Sequence, residues 1–253
     1  MSTGLAGRRV LLTRPAGQGN ALAARLQAAG ARVACRPTLA IQPLAAVLPA
    51  CDWIVFTSPN AVRHGYAPAM RRCHDGNAQG RGVRLAAVGP GTAAAMRAVG
   101  LTVDVAPAEG GGADDLLAQP DFAPAPGAEV LVVRGEGGRQ RLQDSLRARG
   151  VAVREVAVYR RVPLAGPLNL PADWQGARVD VTIVTSRSGL EALLGRVGPD
   201  ALRWLQAGRL VTVSERVATA ARAAGFAAPV VAAGAADAEL EAAVIQAIQR
   251  DDA

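Results

Sequence analysis

Short runs of aliphatic and β-branched residues alternate along this chain with longer stretches in which alanine and leucine recur at helical spacing. The extended runs fall at residues 10–13, from 33, 53–57, 85–88, 102–105, 130–133, 151–156, 181–185, 210–213 and 230–231. Residues 20–29 typify the helical stretches: Leu22 and Leu26 share one face and Gly30 is the stop. Strands alternating with helices predict an α/β protein with parallel sheets and helices on both faces.

The pattern restarts near residue 127. At an offset of 120, residues 7–33 and 127–153 agree at ten of 27 positions: Gly7/Gly127, Val10/Val130, Leu11/Leu131, Arg14/Arg134, Gly17/Gly137, Leu22/Leu142, Leu26/Leu146, Ala28/Ala148, Gly30/Gly150 and Val33/Val153. Asp52 with Thr57-Ser58 then matches Asp180 with Thr185-Ser186, and residues 85–100 match 210–225 in length and pattern. Three successive units in one order mark an internal repeat of two five-stranded halves. Two such halves predict two similar lobes facing each other across a cleft. Proline-bearing connectors follow the second strand of each half, from Arg36-Pro37 to Pro43 and from Arg160 to Pro167. Two assemblies are compatible with this: simple tandem lobes, or lobes in which the first two strands of each half complete the other.

Composition narrows the chemistry. Half of the 253 residues are hydrophobic and 19% are charged, which suits a packed core and not disorder. All 28 basic residues are arginine, so a Schiff-base lysine and a P-loop lysine are both excluded. The net charge of +7 favours an anionic partner without naming it. Aromatics at 3% argue against a stacking platform for single-stranded nucleic acid, and the arginines are dispersed rather than set in a nucleic-acid motif. Cys35, Cys51 and Cys73 are an odd set without metal-ligand spacing, which points to a reducing compartment; Cys73-His74 reads as a surface loop. Neither a signal peptide nor a membrane-spanning apolar stretch is expected, since Arg8 and Arg9 precede an apolar run of only three residues.

In open parallel sheets, ligands bind at the carboxyl ends of strands. The polar residues expected there are Thr13-Arg14, Thr57-Ser58 with Asn60, Gly89 with Thr92, Arg134 to Arg139, Thr185-Ser186 with Ser188, and Ser214 to Arg216. Each places a small hydroxyl or a glycine between strand and helix, where free backbone N–H groups attract anions. The same residues also serve as ordinary helix caps. Arg134-Gly135-Glu136-Gly137-Gly138-Arg139 is the richest turn, with Arg139 expected at the start of the next helix. Tyr159, one of two tyrosines, is expected to end its strand just before a connector. No Ser–His–Asp or Cys–His set can be assembled, so an enzyme here would work by placement and hydrogen bonding.

The chain resembles the uroporphyrinogen-III synthase family over nearly its whole length. The segments that carry the resemblance are Leu11-Leu12-Thr13-Arg14-Pro15, residues 52–62, residues 87–93, Val130 to Gly135 with Arg139, Val156-Ala157-Val158-Tyr159-Arg160, and Thr185-Ser186 with Ser188. The resemblance implies two flavodoxin-like parallel-sheet lobes joined by two connectors with a cleft between them. It also selects the crossed assembly: residues 1–36 with 167–253 in one lobe, 43–159 in the other, and 37–42 and 160–166 as connectors. The implied reaction converts hydroxymethylbilane to uroporphyrinogen III in tetrapyrrole biosynthesis, with loss of water and inversion of ring D, through a spirocyclic intermediate. No cofactor or metal is implied.

By motif, Tyr159 would donate a hydrogen bond to the departing hydroxyl. Thr13, Arg14, Thr57, Ser58, Asn60, Gly89, Thr92, Gly135, Arg139, Thr185, Ser186 and Ser188 would hold substrate carboxylates or close the cleft. Where the family often has Ile-Gly followed by Thr, this chain has Val213-Ser214-Glu215-Arg216-Val217, so Ser214 or Arg216 would substitute. A polycarboxylate tetrapyrrole substrate, a cytoplasmic monomer and transient contact with hydroxymethylbilane synthase complete the implied picture, without nucleic acid or membrane. The alternative reading of the same turns is a bilobed protein that binds a small anion without chemistry.

Overall fold

A computed structural model describes residues 4–75 and 82–252. In chain order the elements are β1 (Arg9–Leu12), α1 (Asn20–Ala28), β2 (Arg32–Cys35), β3 (Leu39–Pro43), β4 (Trp53–Phe56), α2 (Pro59–Asp75), β5 (Arg84–Ala87), α3 (Pro90–Ala98), α4 (Ala113–Leu117), β6 (Glu129–Gly135), α5 (Arg141–Ala148), β7 (Ala152–Pro163), β8 (Val181–Ile183), α6 (Arg187–Leu194), α7 (Pro199–Gln206), β9 (Arg209–Thr212), α8 (Glu215–Ala223), β10 (Val230–Val231) and α9 (Asp237–Asp252). Among the described residues no helix is long and apolar enough to cross a membrane.

The elements form two compact units. The first holds the chain up to Ala40 together with the chain from Val162 onward. Its sheet runs β10-β9-β8-β1-β2, every described pairing parallel. Numbered along the chain within the unit, that is the flavodoxin-like order 2-1-3-4-5. Leu5, Val10, Leu12, Leu22 and Leu26 pack with Leu240 and Val244 of α9 on one face, and Leu11, Leu190, Leu193 and Leu210 pack on the other.

The second unit is Ile41–Arg161. Its sheet runs β3-β7-β6-β4-β5, and all four residues of β4 are buried between β6 and β5. Ile54, Phe56, Leu131 and Val133 face α2 and α3; Trp53, Val55, Val130 and Val132 face Leu142 and Leu146 of α5. At Gly65 a Cβ would come within 2.8 Å of Val133 Cγ1, so only a glycine lets α2 lie this close to the sheet.

Several sequence expectations change. Residues 102–105 contribute one bridge, Ala86 to Val105, in place of a strand. The fifth strand of that sheet is β3, inside a stretch expected as a connector; proline is tolerated at such an edge position. Residues 160–163, also expected as connector, prolong β7. Tyr159 therefore lies within a strand and does not end one. Cys73 and His74 belong to the last turn of α2 and not to a loop, and the side chain of His74 is outside the described residues.

The repeat has a physical counterpart. Asp52 precedes β4, and its Oδ2 accepts from the backbone N–H of Glu129, the first residue of β6, at 2.8 Å. Asp180 precedes β8, and its Oδ2 accepts from the N–H of Arg9, the first residue of β1, also at 2.8 Å. Each carboxylate satisfies a strand-end donor that would otherwise be left bare. We predict that Asp52→Ala and Asp180→Ala each lower unfolding stability by about 1–3 kcal/mol, the cost of an unmade bond to a charged acceptor. Urea denaturation midpoints unchanged from wild type would refute this.

Candidate active site

The register of β7 against β6 decides where Tyr159 points. Val133 pairs with Val156 and Arg134 with Ala157, but Gly135 pairs with Tyr159, so Val158 is an extra residue. Side chains alternate faces along a strand, and a bulge resets that alternation. Without it, Tyr159 would share the α5 face with Glu155 and Ala157. With it, Tyr159 joins Val158, Phe56 and Val133 on the face that α2 covers, and is 1% exposed.

Gly135 makes room for the ring. A Cβ there would lie 2.5 Å from Tyr159 Cζ and 2.8 Å from its hydroxyl. On α2, the His64 ring sits 5.9 Å from the tyrosine ring, centroid to centroid, tilted at 41°. Burial, and after it the Arg63 charge, pushes the His64 imidazole below its usual range. It thus packs against Tyr159 as a neutral ring at pH 7. The Tyr159 hydroxyl lies 3.2 Å from Ser58 Oγ and accepts from Arg161 Nη2 at 2.9 Å. Ser58 also begins α2, where its Oγ accepts from the N–H of Ala61 at 3.1 Å.

The Arg134 to Arg139 turn folds around its own first residue. Arg134 is 7% exposed, and its Nη1 donates to Glu155 Oε2 at 2.7 Å. Its Nε donates to the Gly135 carbonyl at 3.3 Å, and its Nη2 donates to the Gly137 carbonyl. Gly137 and Gly138 adopt φ of 70° and 103°, and a Cβ on Gly138 would strike Arg134 Nη2. Glu155 is the hub: Gln143 donates to it at 3.0 Å and Arg147 approaches at 3.6 Å. Partial burial pushes the Glu155 carboxyl upward, but the bonds from Gln143 and Arg134 and the charges of Arg134 and Arg147 outweigh that and hold it below its usual 4.5. Arg139 precedes α5 instead of starting it; it is exposed and makes no ion pair among the described residues.

These groups surround a cavity of about 840 Å³ within the second unit. Its wall combines Thr57, Ser58 and Tyr159 with Gly135, Gly137 and Gly138, and with Arg134, Arg139, Arg141 and Arg161. The opposite wall is Gly111 to Asp115. There Asp115 Oδ2 accepts from the Gly111 N–H at 2.9 Å, and Asp114 pairs with Arg141 at 2.9 Å. Four guanidinium groups, of which Arg134 and Arg141 are paired with carboxylates, and an opened glycine turn give the wall features suited to an anion, and one buried phenol lies among them. Among the described residues no group of three His, Cys, Asp or Glu could hold a metal ion.

The cavity thus gathers Thr57, Ser58, Gly135, Arg139 and Tyr159 from the sequence candidates. Gly89 and Thr92 lie beside it: Gly89 packs on Gly111, and Thr92 is buried in α3. Asn60 is half-buried in the first turn of α2. The remaining candidates belong to the first unit, at its strand ends. Thr13 Oγ1 donates to the Ile183 carbonyl at 2.8 Å, and Arg14 pairs with Asp237 at 2.8 Å. Ser186 Oγ caps α6 through the Gly189 N–H, with Ser188 3.4 Å away and Thr185 half-buried beside it. Ser214 precedes α8 without a side-chain cap, and Arg216 is exposed. Sequence reasoning missed Arg161, Gln143, Glu155 and the Gly111 to Asp115 wall. Arg161 carries a signal, being two residues from Tyr159 and so on its face of the strand.

Residues 20–241 match the family model described as "Uroporphyrinogen-III synthase HemD". The uroporphyrinogen-III synthase of Salmonella typhimurium is 32% identical over 229 residues, covering 86% of this chain and 92% of that protein. That of Escherichia coli is 29% identical over 226 residues, with the same coverage of 86% and 92%. A solved uroporphyrinogen-III synthetase from Helicobacter pylori superposes with a TM-score of 0.60 over 94% of this chain and 98% of its own, at 15% identity. A mutant uroporphyrinogen III synthase from Thermus thermophilus gives 0.56 over 96% and 100%, at 18% identity. These two likenesses show a shared fold.

Two outcomes test the geometry. Gly135→Ala forces the ring of Tyr159 out of its slot and lowers stability by about 1–3 kcal/mol, the cost of overpacking; a midpoint equal to wild type in chemical denaturation would refute it. Glu155→Gln strips Arg134 of its counter-charge. At pH 7 the expected loss is roughly 2 kcal/mol, below that of a fully buried pair because Glu155 keeps some solvent contact. A carboxyl held below 4.5 when folded stabilises the fold above its unfolded pKa, and this is lost as pH falls through the folded value. The gap between wild type and Glu155→Gln therefore narrows below about pH 4.5; a gap constant from pH 7 to pH 3 would contradict the assignment.

Proposed function

Because the chain belongs to the uroporphyrinogen-III synthase family, we propose that it is a lyase of tetrapyrrole biosynthesis that closes hydroxymethylbilane to uroporphyrinogen III with loss of water and inversion of ring D. The observation that carries this reading is the cavity itself: Arg139 and Arg161, which pair with no carboxylate among the described residues, beside a buried phenol. A substrate with eight carboxylates meets counter-charge there, and Tyr159 is the buried hydroxyl placed to give a proton.

In this reading the lone pair of a pyrrole nitrogen expels the terminal hydroxyl. Tyr159 delivers a proton to that oxygen as the C–O bond breaks, and water departs. The resulting azafulvene is a delocalised electrophile, so the protein's remaining task is orientation. Ring D attacks through its substituted carbon to give a spirocyclic intermediate; the bond from that carbon to the methylene of ring C then breaks, and that methylene re-bonds to the free carbon of ring D, which leaves the ring inverted. Arg139, Ser58 and the N–H groups of the glycine turn hold side-chain carboxylates so that the substituted carbon, and not the free one, faces the electrophile. The phenolate left on Tyr159 recovers a proton when ring D loses one from its newly bonded carbon and becomes an aromatic pyrrole again.

Purified protein supplied with freshly made hydroxymethylbilane is expected to yield the type III isomer. Recovery of the type I isomer alone, the product of unguided closure, would overturn the reading. Tyr159→Phe keeps the ring packing and is expected to lower turnover about 100-fold, the lower range for loss of a general acid. Isomer analysis by chromatography reads both outcomes.

A further inference from the structure

The Tyr159 hydroxyl has two polar neighbours, and they are not equivalent. Arg161 can only donate, because a guanidinium has five N–H groups and no acceptor. Its Nη2 lies 2.9 Å from the phenol oxygen, and its guanidinium carbon lies 5.3 Å from the ring centroid. With that side of the oxygen taken by a donor, the phenol proton is turned away from the guanidinium, toward the side where Ser58 Oγ lies 3.2 Å away. There it meets Ser58 Oγ, which already accepts the Ala61 N–H. The three groups therefore form a directed chain from Arg161 through Tyr159 to Ser58, whose far end lines the cavity.

Arg161 is also unclaimed by other partners. Among the described residues it pairs with no carboxylate, whereas Arg134, Arg141 and Arg147 each do. Strand alternation sets Arg161 on the same side of β7 as Tyr159, and the bulge at Val158 sends both toward the cavity.

We propose that Arg161 is the positioning residue for Tyr159, fixing the direction of its O–H and neutralising the phenolate that proton transfer leaves behind. The proposal rests on the reading of Tyr159 as proton donor given above. In the step, the Tyr159 O–H turns from Ser58 Oγ to the leaving hydroxyl, still on the side away from Arg161, and its proton passes to that oxygen as the oxygen takes both electrons of the C–O bond. Water is the only product released, no redox partner is needed, and the charge on the phenolate is balanced by Arg161 until the proton returns. Arg161 acts through Tyr159 and is not itself a catalytic residue.

The test measures type III isomer formation by wild type, Arg161→Ala, Tyr159→Phe and the double variant, with circular dichroism reporting the fold. Arg161→Ala is expected to lower kcat about 10- to 50-fold with a smaller change in KM. The double variant is expected to be no slower than Tyr159→Phe alone, because an orienting group has nothing to orient once the hydroxyl is gone. Added methylguanidinium is expected to restore part of the activity of Arg161→Ala and none of the double variant's. Arg161→Lys retains the charge and is expected to fall between; it decides the case if Arg161→Ala does not fold.

Losses that multiply in the double variant, or Arg161→Ala within twofold of wild type, would overturn the role of Arg161 while leaving the proposed function standing. Wild type that forms no type III isomer would overturn the function itself.

Discussion

A strand that kept strict alternation through residue 159 would send Tyr159 to the face of Glu155, into the layer between β7 and α5. The single extra residue at Val158 prevents this, and most of the site depends on it. It brings Tyr159 against Gly135, because the pairing jumps to that residue. It gives His64 of α2 a ring to pack on. It sets Arg161 within reach of the phenol oxygen. Glu155, upstream of the irregularity, keeps its original face and remains available to Arg134. One inserted residue thus separates two polar systems on opposite faces of one strand: a structural ion pair on one, a buried phenol on the other.

The ion pair does more than fill space. A buried guanidinium without partners is costly, and Arg134 is satisfied by Glu155 and by carbonyls of the turn it begins. Those bonds require the chain to curl back, which only successive residues in the left-handed region accomplish, and Gly137 and Gly138 supply them. The turn is therefore fixed by a charge beneath it, and Arg139, at its far end, is left with its own charge uncommitted. Desolvating one arginine orients another.

Much of this was legible in the chain, for a reason the repeat makes clear. Gly7 and Gly127, Gly17 and Gly137, and Gly30 and Gly150 are identical pairs in the sequence, and all six have positive φ. Leu22, Leu26, Leu142 and Leu146 are the buried face of equivalent helices. The matching positions are those that a βα unit imposes on its backbone and core, so they disclosed the parallel α/β fold and the strand ends. Register and edge pairing were less visible. A bulge at Val158 leaves no mark in the pattern Val156-Ala157-Val158-Tyr159, since valine and alanine suit either face. The strand at Leu39–Pro43 was hidden by its prolines, which are compatible with an edge. The wall from Gly111 to Asp115 starts in a glycine-rich loop and runs into the first turn of α4; its role comes from contacts made across the fold.

The same comparison separates scaffold from chemistry. Arg14 and Arg134 occupy equivalent strand ends and both carry an ion pair, but with unrelated partners. Arg14 reaches Asp237 at the start of α9, whereas Arg134 reaches Glu155 on the neighbouring strand. Asp52 and Asp180 make the same bond at the same distance in both units. What the two halves share holds strands in register and also supplies part of the cavity wall, including Thr57, Ser58, Arg134 and Gly137, whereas Tyr159 and Arg161 belong to one half alone. Tyr159 shows this most directly. Its counterpart at an offset of 120 is Leu39, a core leucine in β3 that carries no polar group. One half has a phenol and an arginine, Tyr159 and Arg161, where the other has Leu39 and Ile41. The all-arginine composition fits this division. Some guanidinium groups brace turns and strand ends, and two beside Tyr159, Arg139 and Arg161, pair with no carboxylate among the described residues.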